Sequence, residues 1–360
     1  MYKNSAALEE LRRSIRDVLE NECPIEVVQA HLKSRNYYDA ALWRKVAELG
    51  WLGLAIDETY DGLGLGIDAL AVLYQEVGRS AAPVPVLGTL LAADAISALG
   101  DEVQRQHFLP LLISGEVRAA VSDPAQPPVP LVARNDGSVE VSGRWAFVLD
   151  GPAADVFLLL VEVNGRTGFL VIERGELNVE HFPITDLTRG LAHVWIEGQL
   201  FSKEQVLIAG DFLQAKQALL LHAAIAVTAD SVGGTEAVFE STIEYLKIRE
   251  QFGRPIGSFQ ALKHRAADHK AALVGAMALY EDVVLRAALG QATQPEVLEA
   301  KALAVSTYSE VGRDCIQLHG GVGFTWDFRP HIFVKRALLN AVLFGTIAQN
   351  LDASVWELAA

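Results

Sequence analysis

The feature that most constrains the fold is the order in which helical and strand-like patterns follow one another along the chain. Apolar residues recur at helical spacing up to about residue 117, short β-branched runs follow, and long helical patterns return from about residue 210. This order is unusual. It predicts an α+β fold with an N-terminal all-α domain over residues 1–117, a middle β domain over 118–209 and a C-terminal four-helix bundle over 210–360.

Turn signals such as Asp61-Gly62 and Pro83-Val-Pro85 divide the first region into helices. The predicted helices are Leu8–Glu20, Glu26–Ser34, Asp39–Leu49, Ile67–Gly78, Val86–Leu99 and Glu102–Ile113. The run Gly62-Leu-Gly-Leu-Gly66 lacks the third glycine of a dinucleotide fingerprint and follows no clear strand. We therefore interpret it as a loop.

The middle region predicts a β sandwich or barrel, because its short apolar runs are separated by turn dipeptides such as Asn164-Gly165. The predicted strands are Ser138–Val141, Trp145–Val148, Val156–Val163, Thr167–Ile172, Val179–Phe182 and His193–Trp195. In the last region, four long helices are predicted near 211–248, 259–289, 294–318 and 331–354.

Composition excludes several classes of protein. The 360 residues are 51% hydrophobic, enough for a large core, and the net charge of −15 argues against a binder of nucleic acid phosphates. Two distant cysteines, Cys23 and Cys315, indicate neither a disulfide framework nor a metal cluster. The N-terminus shows no apolar signal region. The apolar stretch Ala218–Ala229 is too short to span a membrane and is interpreted as part of a buried helix. We expect a soluble cytoplasmic protein.

The end of the first bundle helix carries the most informative local pattern. Arg249-Glu-Gln-Phe252-Gly253 precedes Pro255, so the helix is predicted to end near Gly253, and Phe259-Gln260 follows. A guanidinium beside a glycine turn pairs well with phosphate, and an exposed Phe can lie against a planar ring. A surface Arg next to an ordinary helix end has the same pattern, and the residues alone leave both interpretations open.

With these motifs in place, the chain resembles the acyl-CoA dehydrogenase family over nearly its whole length. The resemblance rests on Trp51-Leu-Gly-Leu, Gly62-Leu-Gly-Leu-Gly, Glu76-Val-Gly-Arg, Leu109-Pro-Leu-Leu-Ile-Ser-Gly-Glu, Arg249-Glu-Gln-Phe-Gly, Phe259-Gln and Gln317-Leu-His-Gly-Gly-Val-Gly-Phe. It implies the same three-domain order and an FAD held in a groove between paired subunits.

In that family the bundle of one subunit contacts the adenosine and pyrophosphate of its neighbour's FAD. The resemblance therefore implies a set of cofactor-binding residues in this chain, namely Arg249, Phe252, Gln260, Gln317, Gly320 and Gly321. His319, which precedes the two glycines, is expected near the adenine side. We expect no metal ligands.

The family's catalytic carboxylate is absent at both positions where the family carries it. The reaction removes the proton alpha to a thioester and transfers a hydride from the beta carbon to the flavin, so it needs a carboxylate base in a dry pocket. Counting from the matched motifs, one position is Phe344 and the other is Ala223-Ala224. The resemblance thus implies no catalytic residue in this chain.

The flavin-facing motifs of the family are also missing. Ser122–Pro128 stands where the family has a Thr-Glu-Pro loop ending in Gly-Ser-Asp. Leu149 replaces the threonine of a Trp-Ile-Thr-Asn strand. After Thr346, Ala348 replaces a glutamine, and Gln349 comes one residue late.

These losses all affect one side of a shared site. The sequence therefore predicts the non-catalytic subunit of a heteromeric, α2β2 acyl-CoA dehydrogenase, which completes the FAD site of a homologous catalytic subunit and is inactive alone. The resemblance is to assemblies that oxidise CoA thioesters of steroid side chains. Two alternatives stay open: a self-sufficient homo-oligomeric dehydrogenase with a relocated base, for which Glu240, Glu244 and Asp327 are candidates, and a flavin-free binding protein.

Other polar and aromatic residues are interpreted more simply. His264 and His269 are predicted to be partly exposed bundle residues, and His331 and Lys335 to share a solvent or interface face of a helix. Trp326 is predicted to anchor an interface.

Overall fold

The computed structural model describes residues 5–34, 36–325 and 328–358. Within these ranges the order of helices, then strands, then helices confirms the predicted α+β class. The first region has six helices at the predicted places: α1 (Ser5–Glu22), α2 (Ile25–Ser34), α3 (Ala40–Glu48), α4 (Ile67–Ser80), α5 (Val86–Leu99) and α6 (Glu102–Ile113). The Gly62–Gly66 run is a loop, as predicted.

Nine strands follow in the middle region, and they form two sheets. They are β1 (Ala119–Val121), β2 (Val129–Pro130), β3 (Val132–Ala133), β4 (Ser138–Leu149), β5 (Val156–Val163), β6 (Arg166–Glu173), β7 (Asn178–Phe182), β8 (Leu191–Ser202) and β9 (Val206–Leu207). One sheet has the order β1-β5-β6-β9, with β2 also pairing with β5, and the other has the order β3-β4-β8-β7. Both sheets contribute side chains to one apolar core, which is the arrangement of a sandwich, one of the two predicted forms.

The prediction of separate strands at Ser138–Val141 and Trp145–Val148 was wrong, because β4 runs through both. Its register against β8 shifts twice, between Val141 and Gly143 and between Trp145 and Val148. These bulges interrupt the alternation of inward and outward side chains that marks a strand in a sequence. The Trp145 indole donates a hydrogen bond to the Leu160 carbonyl at 2.9 Å, which joins the two sheets.

The last region contains long helices joined by a hairpin and a short loop. Its elements are α7 (Phe212–Ile248), β10 (Glu250–Gln251), β11 (Arg254–Pro255), α8 (Gln260–Ala288), α9 (Gln294–His319), α10 (Pro330–Asn340) and α11 (Ile347–Leu358). The prediction of one helix over 331–354 was wrong, because a loop separates α10 from α11. In this loop Phe344 and Gly345 have φ values of 51° and 99°, which a continuous right-handed helix does not contain.

The chain divides into two compact units. One contains the described residues up to Lys33, Ile67–Ala82 and the described residues from Ala224 onward, and the other contains Ser34–Gly66 and Pro83–Ala223. In the first unit α4 therefore packs with the C-terminal helices. The predicted boundaries near residues 117 and 209 stay a prediction.

Two glycines let α4 and α7 cross closely in the first unit. A Cβ on Gly78 would lie 2.3 Å from the Asp230 carbonyl oxygen, and one on Gly233 would lie 1.9 Å from that of Gln75. At the same level of α7, the Asp230 carboxylate accepts hydrogen bonds from Arg336 Nη2 at 2.6 Å and Asn340 Nδ2 at 2.8 Å. All three polar side chains are buried, so their mutual hydrogen bonds compensate for lost water.

α7 is the one described helix that is long and apolar enough to cross a membrane. However, 83% of its most apolar window is buried inside the structure. This agrees with the prediction that the stretch from Ala218 to Ala229 belongs to a core helix.

Candidate functional site

The first candidate segment is the turn that follows α7. The prediction that this helix ends near Gly253 was wrong, because α7 ends at Ile248 and the antiparallel hairpin β10–β11 follows. The turn residues Phe252 and Gly253 have φ values of 54° and 77°. Two residues with positive φ make the type I′ turn that a two-residue hairpin favours.

Two of the six residues predicted to contact a cofactor lie at this hairpin with exposed side chains. Phe252 is 92% exposed, and its ring is perpendicular to that of Phe259, with ring centroids 6.2 Å apart. Arg249 is exposed, and within the described part of the chain no hydrogen bond or ion pair engages its guanidinium. Its backbone is fixed, since the Arg249 carbonyl accepts from the Ile256 amide at 2.8 Å.

The start of α8 lies against the end of α7. A Cβ on Gly257 would lie 2.8 Å from the Leu246 carbonyl oxygen, so the turn before α8 packs directly on the last turns of α7. Gln260, the first residue of α8, is exposed. This arrangement places Gln260 at the same end of the bundle as Arg249.

The end of α9 reaches the same place, held by an acidic residue that sequence reasoning missed. Asp314 on α9 pairs with Arg265 of α8 through two oxygens and lies 2.5 Å from His269 Nε2. These hydrogen bonds hold the pKa of Asp314 below its usual value, although partial burial opposes them. His269 is a partly exposed residue of the bundle, as predicted, and its contact with Asp314 joins α8 to α9.

Beyond Asp314, the chain presents Gln317, Gly320 and Gly321, which are all exposed. Gly320 has a φ of 65°, a conformation that glycine adopts readily. A Cβ on either glycine would meet no heavy atom within 4 Å. All six residues predicted to bind a cofactor therefore lie at one end of the first unit, and the backbone at the glycines is open to approach.

An aromatic cluster lies beside these residues. The rings of Tyr245 and His319 stack with centroids 4.3 Å apart, and Phe328 meets both edge-on. Tyr245 and Phe328 were not predicted to have a role. Tyr245 lies 74 residues before His319, so a single sequence gives no sign of that contact.

The two predicted positions of a catalytic base carry no proton acceptor and are engaged in packing. Ala223 and Ala224 are buried in α7. Phe344 lies in the loop between α10 and α11, whose carbonyls bind the buried ammonium of Lys301. Lys301 Nζ donates to Leu343, Phe344 and Gly345 at 2.6, 2.8 and 3.0 Å.

The replaced flavin-facing motifs have local structural roles. Leu149 is buried in β4, and the Ser122 hydroxyl accepts from the Leu160 amide at 2.7 Å. Gln349 Oε1 accepts from the backbone amide of Thr346 at 2.9 Å and from its hydroxyl, so it caps the start of α11. The Leu149 side chain has no polar donor.

Of the three candidates for a relocated base, two form ion pairs and the third lies outside the described residues. Glu240 is 2.5 Å from Arg79, and Glu244 is 2.6 Å from Lys247. Asp327 and the predicted interface anchor Trp326 lie outside the described residues. In the part of the chain that is described, no group of three His, Cys, Asp or Glu side chains is arranged to hold a metal ion.

Comparisons with known proteins place this geometry in a family. Residues 5–116 match the model for the acyl-CoA dehydrogenase N-terminal domain, and residues 212–353 match the model for the C-terminal domain. Acyl-CoA dehydrogenase IpdE2 of Mycobacterium tuberculosis is 30% identical over 351 residues, which cover 96% of this chain and 96% of that protein.

Two solved structures are similar over 98% of this chain. A chain of the ChsE4-ChsE5 complex from Mycobacterium tuberculosis is 26% identical with a TM-score of 0.89, covering 98% of this chain and 97% of that one. A chain of a variant of the Tcur3481-Tcur3483 steroid acyl-CoA dehydrogenase is 28% identical with a TM-score of 0.87, covering 98% and 99%.

Proposed function

Because this chain belongs to the acyl-CoA dehydrogenase family, we propose that it is the non-catalytic subunit of a heteromeric member. It completes the FAD site of a homologous catalytic subunit, and the two form an α2β2 assembly. The family binds FAD and oxidises acyl-CoA thioesters at a carbon–carbon bond. The similarity to the steroid enzyme supports a CoA thioester of a steroid side chain as the substrate.

One observation carries the proposal: the cofactor-contacting residues are present and exposed, whereas both base positions are apolar. Arg249 is free to pair bidentately with a phosphate, and the open backbone at Gly320 and Gly321 allows close approach of a dinucleotide. These residues fit the diphosphate part of an FAD that a second subunit holds. Phe252 offers a flat apolar face to the same ligand.

This chain's own flavin side does not fit the cofactor equally well. FAD, when bound, accepts the hydride that leaves the beta carbon of the substrate. Abstraction of the alpha proton needs a carboxylate in contact with that carbon, and Phe344, Ala223 and Ala224 accept no proton. Leu149 has no donor for a flavin nitrogen. The base and the flavin-facing donors are therefore assigned to the partner.

The test is the flavin content of the complex co-expressed with its sister chain. Arg249→Met in this chain should lower the FAD occupancy of the complex at least about tenfold at limiting FAD, because one charge-assisted phosphate contact is lost. Arg13→Met, at an exposed arginine on α1, is the matched control and should leave occupancy unchanged. Unchanged occupancy in the Arg249 variant would overturn the assignment of this residue.

A second measurement separates the proposal from a self-sufficient enzyme. The purified chain alone should not reduce a dye with any acyl-CoA. Turnover by the chain alone that Asp327→Asn abolishes would establish the relocated-base alternative instead. A sister chain that co-purifies without FAD would favour a flavin-free binding protein.

A further inference from the structure

A cleft of about 450 Å³ opens in the second unit, where the loop before α3 meets residues that flank β1, β5 and β6. This volume lies within the range of clefts that bind small organic molecules. Its charged and aromatic lining residues are Tyr37, Tyr38, Arg118, Asp155 and Arg174, and residues 152–154 form an apolar wall.

The carboxylate that lines the cleft, Asp155, is paired with Arg118 through both of its oxygens. Arg118 Nη2 donates to Asp155 Oδ1 at 2.6 Å, and the Arg118 backbone amide donates to Oδ2 at 3.0 Å. The Arg118 guanidinium also lies over the Tyr38 ring, 4.5 Å from its centroid. Arg118 and Asp155 therefore neutralise each other, and the positive charge of Arg174 has no counter-charge among the residues that line the cleft.

Three backbone carbonyls hold Arg174 by one of its nitrogens. Nη1 donates to the carbonyls of Gly151, Pro152 and Ala154 at 3.0, 3.2 and 3.1 Å. Nε and Nη2 have no hydrogen-bond or ion-pair partner among the described residues. These two nitrogens form the edge of a guanidinium that pairs bidentately with a carboxylate or a phosphate. Because the carbonyls already fix the guanidinium, a ligand that pairs with this edge orders little further side chain.

The acidic neighbours of Arg174 in the sequence line a different cleft. Glu173 and Glu176 lie beside His107 and Phe108 of α6, and within the described residues neither forms an ion pair with Arg174. The whole chain carries a net charge of −15, which repels anions from most of its surface. An unbalanced guanidinium inside a cleft is therefore a local feature that favours an anion at this place.

The remaining lining of the cleft suits a flat apolar body. The Tyr37 ring lies on the His181 ring of β7, with centroids 4.7 Å apart and planes at 47°. Tyr37 is nevertheless 39% exposed, so part of its ring is available to a ligand. Aromatic rings pack favourably in tilted, offset and edge-on arrangements, and a further ring can join this pair without displacing it.

We propose that this cleft binds an aromatic anion. Its carboxylate or phosphate pairs with the Nε–Nη2 edge of Arg174, and its ring packs against Tyr37 and the apolar wall. A carboxylate and a phosphate ester both offer two acceptor oxygens, so the same chemistry has two sources. None of the six residues predicted to bind FAD lines the cleft, and the inference does not depend on the proposed function.

The experiment measures the affinity of the purified full chain for benzoate, benzamide, acetate and phenyl phosphate by ligand-observed NMR. Benzoate should bind at least about tenfold more tightly than benzamide, which has nearly the same shape but no charge. Benzoate should also bind several-fold more tightly than acetate, which has no ring.

Arg174→Gln removes the charge but keeps an amide that can donate to the backbone carbonyls. The preference for benzoate over benzamide should fall to about twofold or less in this variant. Arg144→Gln, at an exposed arginine of β4, is the matched control and should keep the wild-type preference.

A second variant tests the ring without touching the loop that Arg174 holds. Tyr37→Leu should weaken the binding of benzoate and benzamide alike by several-fold, because the aromatic contact is lost and the charge is kept. Equal affinities of the wild type for benzoate and benzamide would overturn the proposal, and so would an absence of binding by both benzoate and phenyl phosphate. Benzoate binding that is unchanged in both variants would also overturn it.

The relative affinities of the two anions identify the source. Tighter binding of phenyl phosphate would indicate a phosphate ester as the ligand, and equal or tighter binding of benzoate would indicate a carboxylate. A chain that binds benzoate through Arg174 but never acquires FAD with a partner would retain this site and contradict the proposed function alone.

Discussion

At the scale of single residues, Phe252 combines two unfavourable features that a purely structural residue would avoid. Its φ of 54° is a conformation that bulky side chains rarely adopt, and its ring is almost fully exposed. Backbone strain of this kind costs on the order of 1–3 kcal/mol and is concentrated at functional sites. The ring is therefore expected to contact a ligand or partner in the assembly.

Phe252→Asn should stabilise the isolated chain but weaken FAD binding by the complex. Asparagine tolerates positive φ, so the free energy of unfolding should rise by about 1 kcal/mol, as measured by denaturant titration. FAD occupancy of the complex should fall. Phe324→Asn is the control for stability, since Phe324 is 76% exposed without a positive φ and should show no gain. A destabilised Phe252 variant would contradict the strain argument.

Asp314 should contribute stability in a pH-dependent way. Its pKa is lower in the folded chain than the usual 3.8, so its contribution is complete above that value and is lost as the pH falls through the folded pKa. Asp314→Asn should lower the free energy of unfolding by about 1 kcal/mol near pH 7, and this difference should shrink below about pH 4. A difference that does not change with pH would show that the charge is not involved.

At the scale of elements, α1 is held to α4 by ion pairs rather than by apolar packing alone. Arg16 Nε and Nη2 donate to the Glu76 carboxylate at 2.9 and 2.8 Å, and Arg12 Nη1 donates to Gln75 at 2.5 Å. Arg12 Nη1 also lies 3.6 Å from the Glu76 carboxylate. Glu76 is fully buried, so its charge depends on these two arginines.

Arg16→Met should lower the free energy of unfolding by about 3 kcal/mol, because it leaves a buried carboxylate with a weaker partner. Arg13→Met on the exposed face of the same helix should change it by less than about 0.5 kcal/mol. Chemical denaturation of the two variants side by side measures the difference. Equal effects would mean that the ion pair does not hold α1.

The buried cation Lys301 binds three carbonyls of the loop between α10 and α11. Lys301→Met removes the donor of three carbonyls and should destabilise the chain by about 3 kcal/mol. The loop at Leu343–Gly345 should then become the preferred site of limited proteolysis. Lys263→Met, at an exposed lysine of α8, serves as the control. An unchanged cleavage pattern in the Lys301 variant would contradict this role.

At the scale of the whole molecule, local periodicity predicted the element order and most helix limits. In an amphipathic helix the apolar residues of the buried face recur at helical spacing, so the sequence itself shows them. It missed the short strands β1, β2, β3 and β9, whose two or three residues are too few to show alternation. It also missed the hairpin after α7. That hairpin needs Phe252 at positive φ, a conformation that propensity disfavours.

The site was only partly predictable for a similar reason. Arg249 and Gly320 stand in contiguous motifs, so the sequence alone singles them out. The loop after α10 is bound by Lys301, which lies more than 40 residues before Phe344, and the aromatic cluster depends on the contact between Tyr245 and His319. Such long-range contacts leave no periodic trace in one sequence.

The account depends on a division of roles between two subunits, and a count of flavin tests it most directly. The chain is purified alone and with its sister chain, and FAD is quantified per protein by absorbance together with acyl-CoA-dependent dye reduction. We predict no FAD and no turnover in the chain alone, and one FAD per heterodimer with turnover in the complex. Full FAD occupancy with turnover in the chain alone would contradict the account.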